Sequence, residues 1–127
     1  MRYGYTKAVT RDFAEVVRRT KEELGKAGFG VMFDIDMQAT LRQKIGVEFD
    51  RYVIIGACNP PLAHEALSAE REIGLLLPCN VIVYEKDGAV FVSAVVPTVA
   101  MQGIDNERVK AVAVEAEKRL KNVIDAI

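Results

Sequence analysis

Cys79-Asn80-Val81-Ile82-Val83-Tyr84-Glu85 and Ala89-Val90-Phe91-Val92-Ser93-Ala94-Val95-Val96 are two Val-rich runs separated only by Lys86-Asp87-Gly88. Runs of this composition read as strands, and an Asp-Gly pair supplies the two positive backbone angles of a type I′ turn. Residues 79–85 and 89–96 are therefore expected to form a β-hairpin, ended by Pro97. Its two strands must be antiparallel, so a doubly wound parallel sheet is the weaker architecture for the whole chain.

Working outward, three more strands precede the hairpin: residues 2–9, 29–35 and 51–57, the last apolar enough to be buried on both faces. Between the first two, Phe13, Val16, Val17, Thr20 and Leu24 recur at helical spacing, with Thr10 as the expected N-cap and Gly25 and Gly28 marking the stop. Asp36 is placed to cap a short helix running to Ile45, with Met37, Leu41 and Ile45 as an apolar stripe of core type and Gly46 as its end. Asn59 followed by Pro60 starts another short helix, because Asn caps and proline at the first helical position lacks only an amide that would be unpaired. Ser68 is expected to cap a further short turn closed by Gly74, and Leu75-Leu76-Leu77 to be buried or at an interface. After a loop through Gly103, residues 105–126 make the longest helix, with Val109, Val112, Ala116, Leu120, Val123 and Ile127 on one face.

The order is β-α-β-(α)-β-(α)-β-β-α. It predicts one α+β domain over residues 1–127, a two-layer sandwich whose five-stranded, largely antiparallel sheet is covered by two long helices with short helices inserted. A chain of this size buries roughly two thirds of its unfolded surface. With 50% of its residues apolar it can do so without a disulfide or metal. Charged residues make up 28% and the net charge is −1, both signs interspersed, which gives phosphates no field to find and argues against a nucleic-acid partner. No apolar run is long enough for a membrane span, and Met1-Arg2-Tyr3-Gly4-Tyr5 lacks the apolar core of a signal peptide, so a soluble, cytoplasmic protein with reduced cysteines is expected.

Candidate chemistry gathers in Gly56-Ala57-Cys58-Asn59-Pro60-Pro61 and Pro78-Cys79-Asn80, which hold both cysteines, each followed by Asn; the single histidine, His64, lies between them. Cys58 ends the third strand just before a capping Asn. Free amides and the helix dipole there would favour its thiolate, whereas on the plainer and preferred reading a Cys after Ile-Ile-Gly-Ala is a small buried apolar residue. Cys79 could reach the same sheet end if the third and fourth strands are neighbours, as a redox partner, half a metal site or a packed thiol. Neither Cys-x-x-Cys nor four ligands at zinc spacing is present, so no metal site is assigned within one chain. Asn59 and Asn80 are a cap and a strand-start residue on the plainer reading, and paired amides for a small polar ligand on the sharper one. His64 is a conceivable third ligand or a merely polar helix residue. Asp34, Asp36, Glu48 and Asp50 sit near turns and form no acid–base pair; there is no phosphate loop and no Ser-His-Asp set.

Gly28-Phe29-Gly30-Val31, Ile35-Asp36, Leu41 with Lys44 and Gly46, Gly56-Ala57-Cys58-Asn59-Pro60 with Leu62-Ala63 and Ala66-Leu67, Gly74-Leu75-Leu76-Leu77-Pro78-Cys79-Asn80-Val81 and Val83-Tyr84-Glu85 together resemble the family known as domain of unknown function 302, from Gly28 to Pro97. The resemblance implies an α+β sandwich similar to the TATA-binding-protein-like fold and a homodimer, without implying DNA binding. It also implies a biochemical function not yet established, so it transfers no catalytic residue and no cofactor. Three readings stay open. In the first, the protein is a homodimer that binds or senses a small ligand near Cys58, Asn59, His64, Cys79 and Asn80. In the second, it is a thiol-dependent redox or sulfur-handling enzyme with Cys58 as nucleophile and Cys79 resolving. In the third, it is a structural dimer joined through Leu75-Leu76-Leu77 and the hairpin.

Overall fold

The hairpin forms as its sequence dictates. β4 (Cys79–Lys86) and β5 (Ala89–Val95) pair antiparallel, with Lys86 opposite Ala89, and the turn places Asp87 at φ 52° and Gly88 at φ 79°. These are the two positive angles that a type I′ turn needs. Around it, a computed structural model describes residues 2–127. The remaining strands are β1 (Gly4–Val9), β2 (Gly30–Asp36) and β3 (Tyr52–Cys58), and the sheet order is β1-β5-β4-β3-β2, antiparallel at every pairing.

The two long helices are α1 (Phe13–Lys26) and α5 (Glu107–Ala126). Phe13, Val16, Thr20 and Leu24 of α1 are buried at helical spacing, and Thr20 hides its hydroxyl by donating to the Val16 carbonyl at 2.7 Å. These residues join Leu120, Val123 and Ile124 of α5 over Ile55, Ala57, Val81, Val83, Val92 and Ala94 in one core. Since strand side chains alternate, the residues between them, Ile54, Ile82, Tyr84 and Phe91, point to the opposite face. That face carries a row of rings, Phe49, Tyr52, Tyr84 and Phe91, with successive centroids 6.2, 5.6 and 5.2 Å apart. The middle of β3 is buried from both sides, by the helices on one and by the Phe33 ring over Gly56 on the other.

Short helices fill the connections: α2 (Met37–Ile45), α3 (Pro60–Ala69), a 3-10 helix at Arg71–Leu76, and α4 (Pro97–Ala100). The Asp36 and Asn59 caps form as expected, accepting from the Ala39 and Leu62 amides, and Gly46 ends α2 at φ 67°. Other expectations need correction. α1 starts after Asp12 rather than Thr10, because the first residue that the core buries is Phe13, and Asp12 caps with its backbone carbonyl alone. Ser68 lies inside α3, and Glu70 precedes the 3-10 helix with no side-chain cap bond. The loop after Pro97 contains the single turn α4, and α5 is capped at Asn106, which accepts from the Arg108 and Val109 amides. The Met37-Leu41-Ile45 stripe is not core: no residue of α2 is buried, and Ile45 is 66% exposed. Leu75 is 82% exposed, while Leu77 is half-buried. No helix among the described residues is long and apolar enough to cross a membrane.

Candidate functional site

The antiparallel pairing of β3 with β4 settles whether the two cysteines meet. Ala57 stands opposite Cys79, and Cys58 is the next residue along β3. Both thiols are free, both are half-buried, and both line one cavity of about 290 Å³ at that end of the sheet. The rest of its wall comes from three directions. α3 contributes Leu62, Ala63, Ala66 and Leu67; α5 contributes Val112, Ala113 and Ala116; Met101, Leu77 and Pro78 close the side. The alanines explain why the space exists. Where α3 faces α5, small side chains at positions 63, 66, 113 and 116 leave a gap that leucines would fill.

Asn59 shapes the cavity's edge. It is buried, its Oδ1 accepts from Leu62 at 3.2 Å, and its Nδ2 packs against Gly28, where a Cβ would approach to 3.2 Å and where φ is +86°. The start of α3 differs from what its sequence suggests for Cys58. Pro60 and Pro61 carry no N–H, the Leu62 amide is taken by the Asn59 side chain, and the Ala63 amide by the Asn59 carbonyl. The free amides expected to hold a thiolate are therefore absent. Cys79 is pushed up from the ordinary 9.0 to about 11, first by burial and then by the neighbouring Cys58. It is a neutral thiol near pH 7.

The five residues singled out in the sequence divide. Cys58, Asn59 and Cys79 line the same cavity. Asn80 is exposed and lines a second cavity, of about 180 Å³, that shares the Leu77–Cys79 wall with the first and is bordered by Leu75 and Leu76. His64 is exposed on α3 and lines neither. The sequence reading missed Ala63, Ala113, Ala116 and Met101 as cavity residues; the only signal was small residues on the apolar faces of two helices. Among the described residues, no three His, Cys, Asp or Glu side chains cluster as a metal ion would require.

Comparison with known proteins places this geometry in a family. The crystal structure of an uncharacterized conserved protein DUF302 from Bacillus stearothermophilus is similar over 98% of this chain and 98% of that one, with 30% sequence identity and a TM-score of 0.92. None of the curated proteins matches. The model of the family described as Domain of unknown function DUF302 matches residues 5–127, well beyond the motif block from Gly28 to Pro97. The chain belongs to the DUF302 family.

Proposed function

We propose that this chain works as a homodimer that binds a small molecule in the cavity between the β3–β4 end, α3 and α5. The observation that carries the binding reading is the cavity itself. At about 290 Å³ it is close to the lower end of ligand-site sizes, and it is lined by Cys58, Asn59 and Cys79. Support for the homodimer comes from the segment that this chain leaves uncovered. Every residue of β2 is exposed, Phe33 and Ile35 among them, and Val47 and Phe49 follow them outside any core. A contiguous apolar surface of this kind marks an interaction site in a protein that remains in solution.

The thiol-dependent reading has one point in its favour, the shared cavity of Cys58 and Cys79. Against it stand the missing amides at α3 and a Cys79 thiol held neutral. The binding reading is tested by methyl-resolved NMR of the full chain, titrated separately with indole, 1-decanol, decanoate and ADP. Saturable shifts confined to Leu62, Leu67, Met101 and Val112 with any one of the four support it. No shift with any of them or with decyl phosphate, or shifts only outside the cavity, overturns it.

A further inference from the structure

The composition of the cavity wall and the blocked start of α3 together restrict what can enter. A helix N-terminus beside a cavity is ordinarily an anion site, since its first amides point outward unpaired. Here that chemistry is removed four times over, by Pro60, by Pro61, and by the two bonds that Asn59 makes to Leu62 and Ala63. Among the described residues no charged side chain lines the cavity, and the Arg119 guanidinium near Gly28 is already paired with Glu115 at 2.8 Å. A carboxylate or phosphate would therefore lose its water and gain no free counter-charge. The polar side-chain atoms on its wall are the Cys58 and Cys79 sulfurs, both weak partners, and the Asn59 amide, which is already engaged with α3 and packed on Gly28.

We infer that the ligand is an uncharged, hydrocarbon-rich molecule, and that Asn59 with Pro60-Pro61 acts as a specificity element excluding anions. An apolar protein cavity of about 150 Å³ stays dry and takes one benzene, so a space about twice that size accommodates roughly a dozen non-hydrogen atoms. This inference rests on the binding reading and sharpens it. The neutrality of Cys79 fits the same picture, because a thiolate there would favour a cationic guest.

The test uses three probes that share one chain and differ in head group: 1-decanol, decanoate and decyl phosphate, each below its micellar concentration and followed at the Met101 and Val112 methyls. The expected result is that 1-decanol binds at least ten-fold more tightly than either anion. It should also lose that binding in Ala113→Leu and in Ala63→Phe, two fillings on different helices, so that a fold defect in one does not decide the matter. Decanoate or decyl phosphate binding as tightly as 1-decanol overturns the inference and leaves the cavity a binding site of another class. If all three probes, indole and ADP leave the cavity methyls unmoved, the binding reading falls and this inference with it.

Discussion

The ring of Phe33 lies directly over Gly56, its register partner on β3, so closely that a Cβ at position 56 would stand 2.3 Å from the Phe33 Cζ. Glycine in mid-strand is normally a weakness, and here it makes the seat for an aromatic side chain from an edge strand. Gly56→Ala must push that ring away. Overpacking of this kind costs about 1–3 kcal/mol, and the clash should be relieved by a smaller residue at position 33. The expected outcome is a lower midpoint in urea for Gly56→Ala, recovered in large part by adding Phe33→Ala. Equal midpoints for wild type and Gly56→Ala would show that the ring does not need this seat.

Gly88 tests the hairpin. At φ 79° it occupies a region that a β-branched residue resists, and Asp87 before it already sits at φ 52°. Gly88→Val should lower stability by about 1–2 kcal/mol, the cost of a left-handed conformation for an L-residue. Asn at the same position should be tolerated far better. Thermal unfolding of the two variants checks the order; Val and Asn behaving alike would mean that the turn relaxes into another type.

The hairpin and the Asp36 and Asn59 caps were legible because each rests on local chemistry, a turn angle or a side-chain acceptor beside free amides. Thr10 was not the cap because two capping residues, Thr10 and Asp12, precede Phe13, and only tertiary burial of Phe13 chooses between them. The Met37-Leu41-Ile45 stripe shows a further limit: periodicity gives a helix its apolar face but does not say what covers it. The cavity lies further still from sequence. Its cysteines stand out by type, but its walls are ordinary alanines on α3 and α5 that only the packing of those helices brings together. His64 had the chemistry of a ligand and no local feature that could reveal its outward direction.

Cys79 gives a prediction in pH. Its folded pKa is raised to about 11 from 9.0, so the fold favours the neutral thiol. The associated stability is fully present below pH 9.0 and is lost as pH rises towards about 11, where the unfolded chain has already released the proton. Tyr52, raised by its own burial and then by Tyr84 and Tyr3, also loses its proton at alkaline pH, so the comparison must be with Cys79→Ala. Wild type should lose more stability than the variant across that window. Alkylation of Cys79 in the native protein, read by mass spectrometry, should stay slow until the pH nears 11. Rapid labelling at neutral pH would show Cys79 to be accessible and activated and would revive the thiol-dependent reading.

On the proposed homodimer, the ring-bearing face behind the sheet is the surface through which two copies would meet. A two-fold interface must be complementary to itself, which an apolar face with stacked rings satisfies and a singly charged face does not. Tyr52 on Tyr84 and Tyr84 on Phe91 stack within 21° of parallel, giving a flat ridge. Phe49 lies tilted beside Tyr52, and the exposed Phe33 and Ile35 of β2, paired with Gly56 and Ile54, share the same sheet face. Wild type should therefore sediment at twice the chain mass. Ile35→Lys, on the exposed edge strand where no core depends on it, should sediment as a folded monomer, since a buried lysine without a partner opposes closure of the interface. Leu75→Lys supplies the contrast. Leu75 is the most exposed leucine of the Leu75-Leu76-Leu77 run, and its variant should remain dimeric if the sheet face is the interface. The reverse pattern, with Leu75→Lys monomeric and Ile35→Lys dimeric, would move the contact to the 3-10 helix beside the second cavity. A monomeric wild type would end the dimer reading altogether.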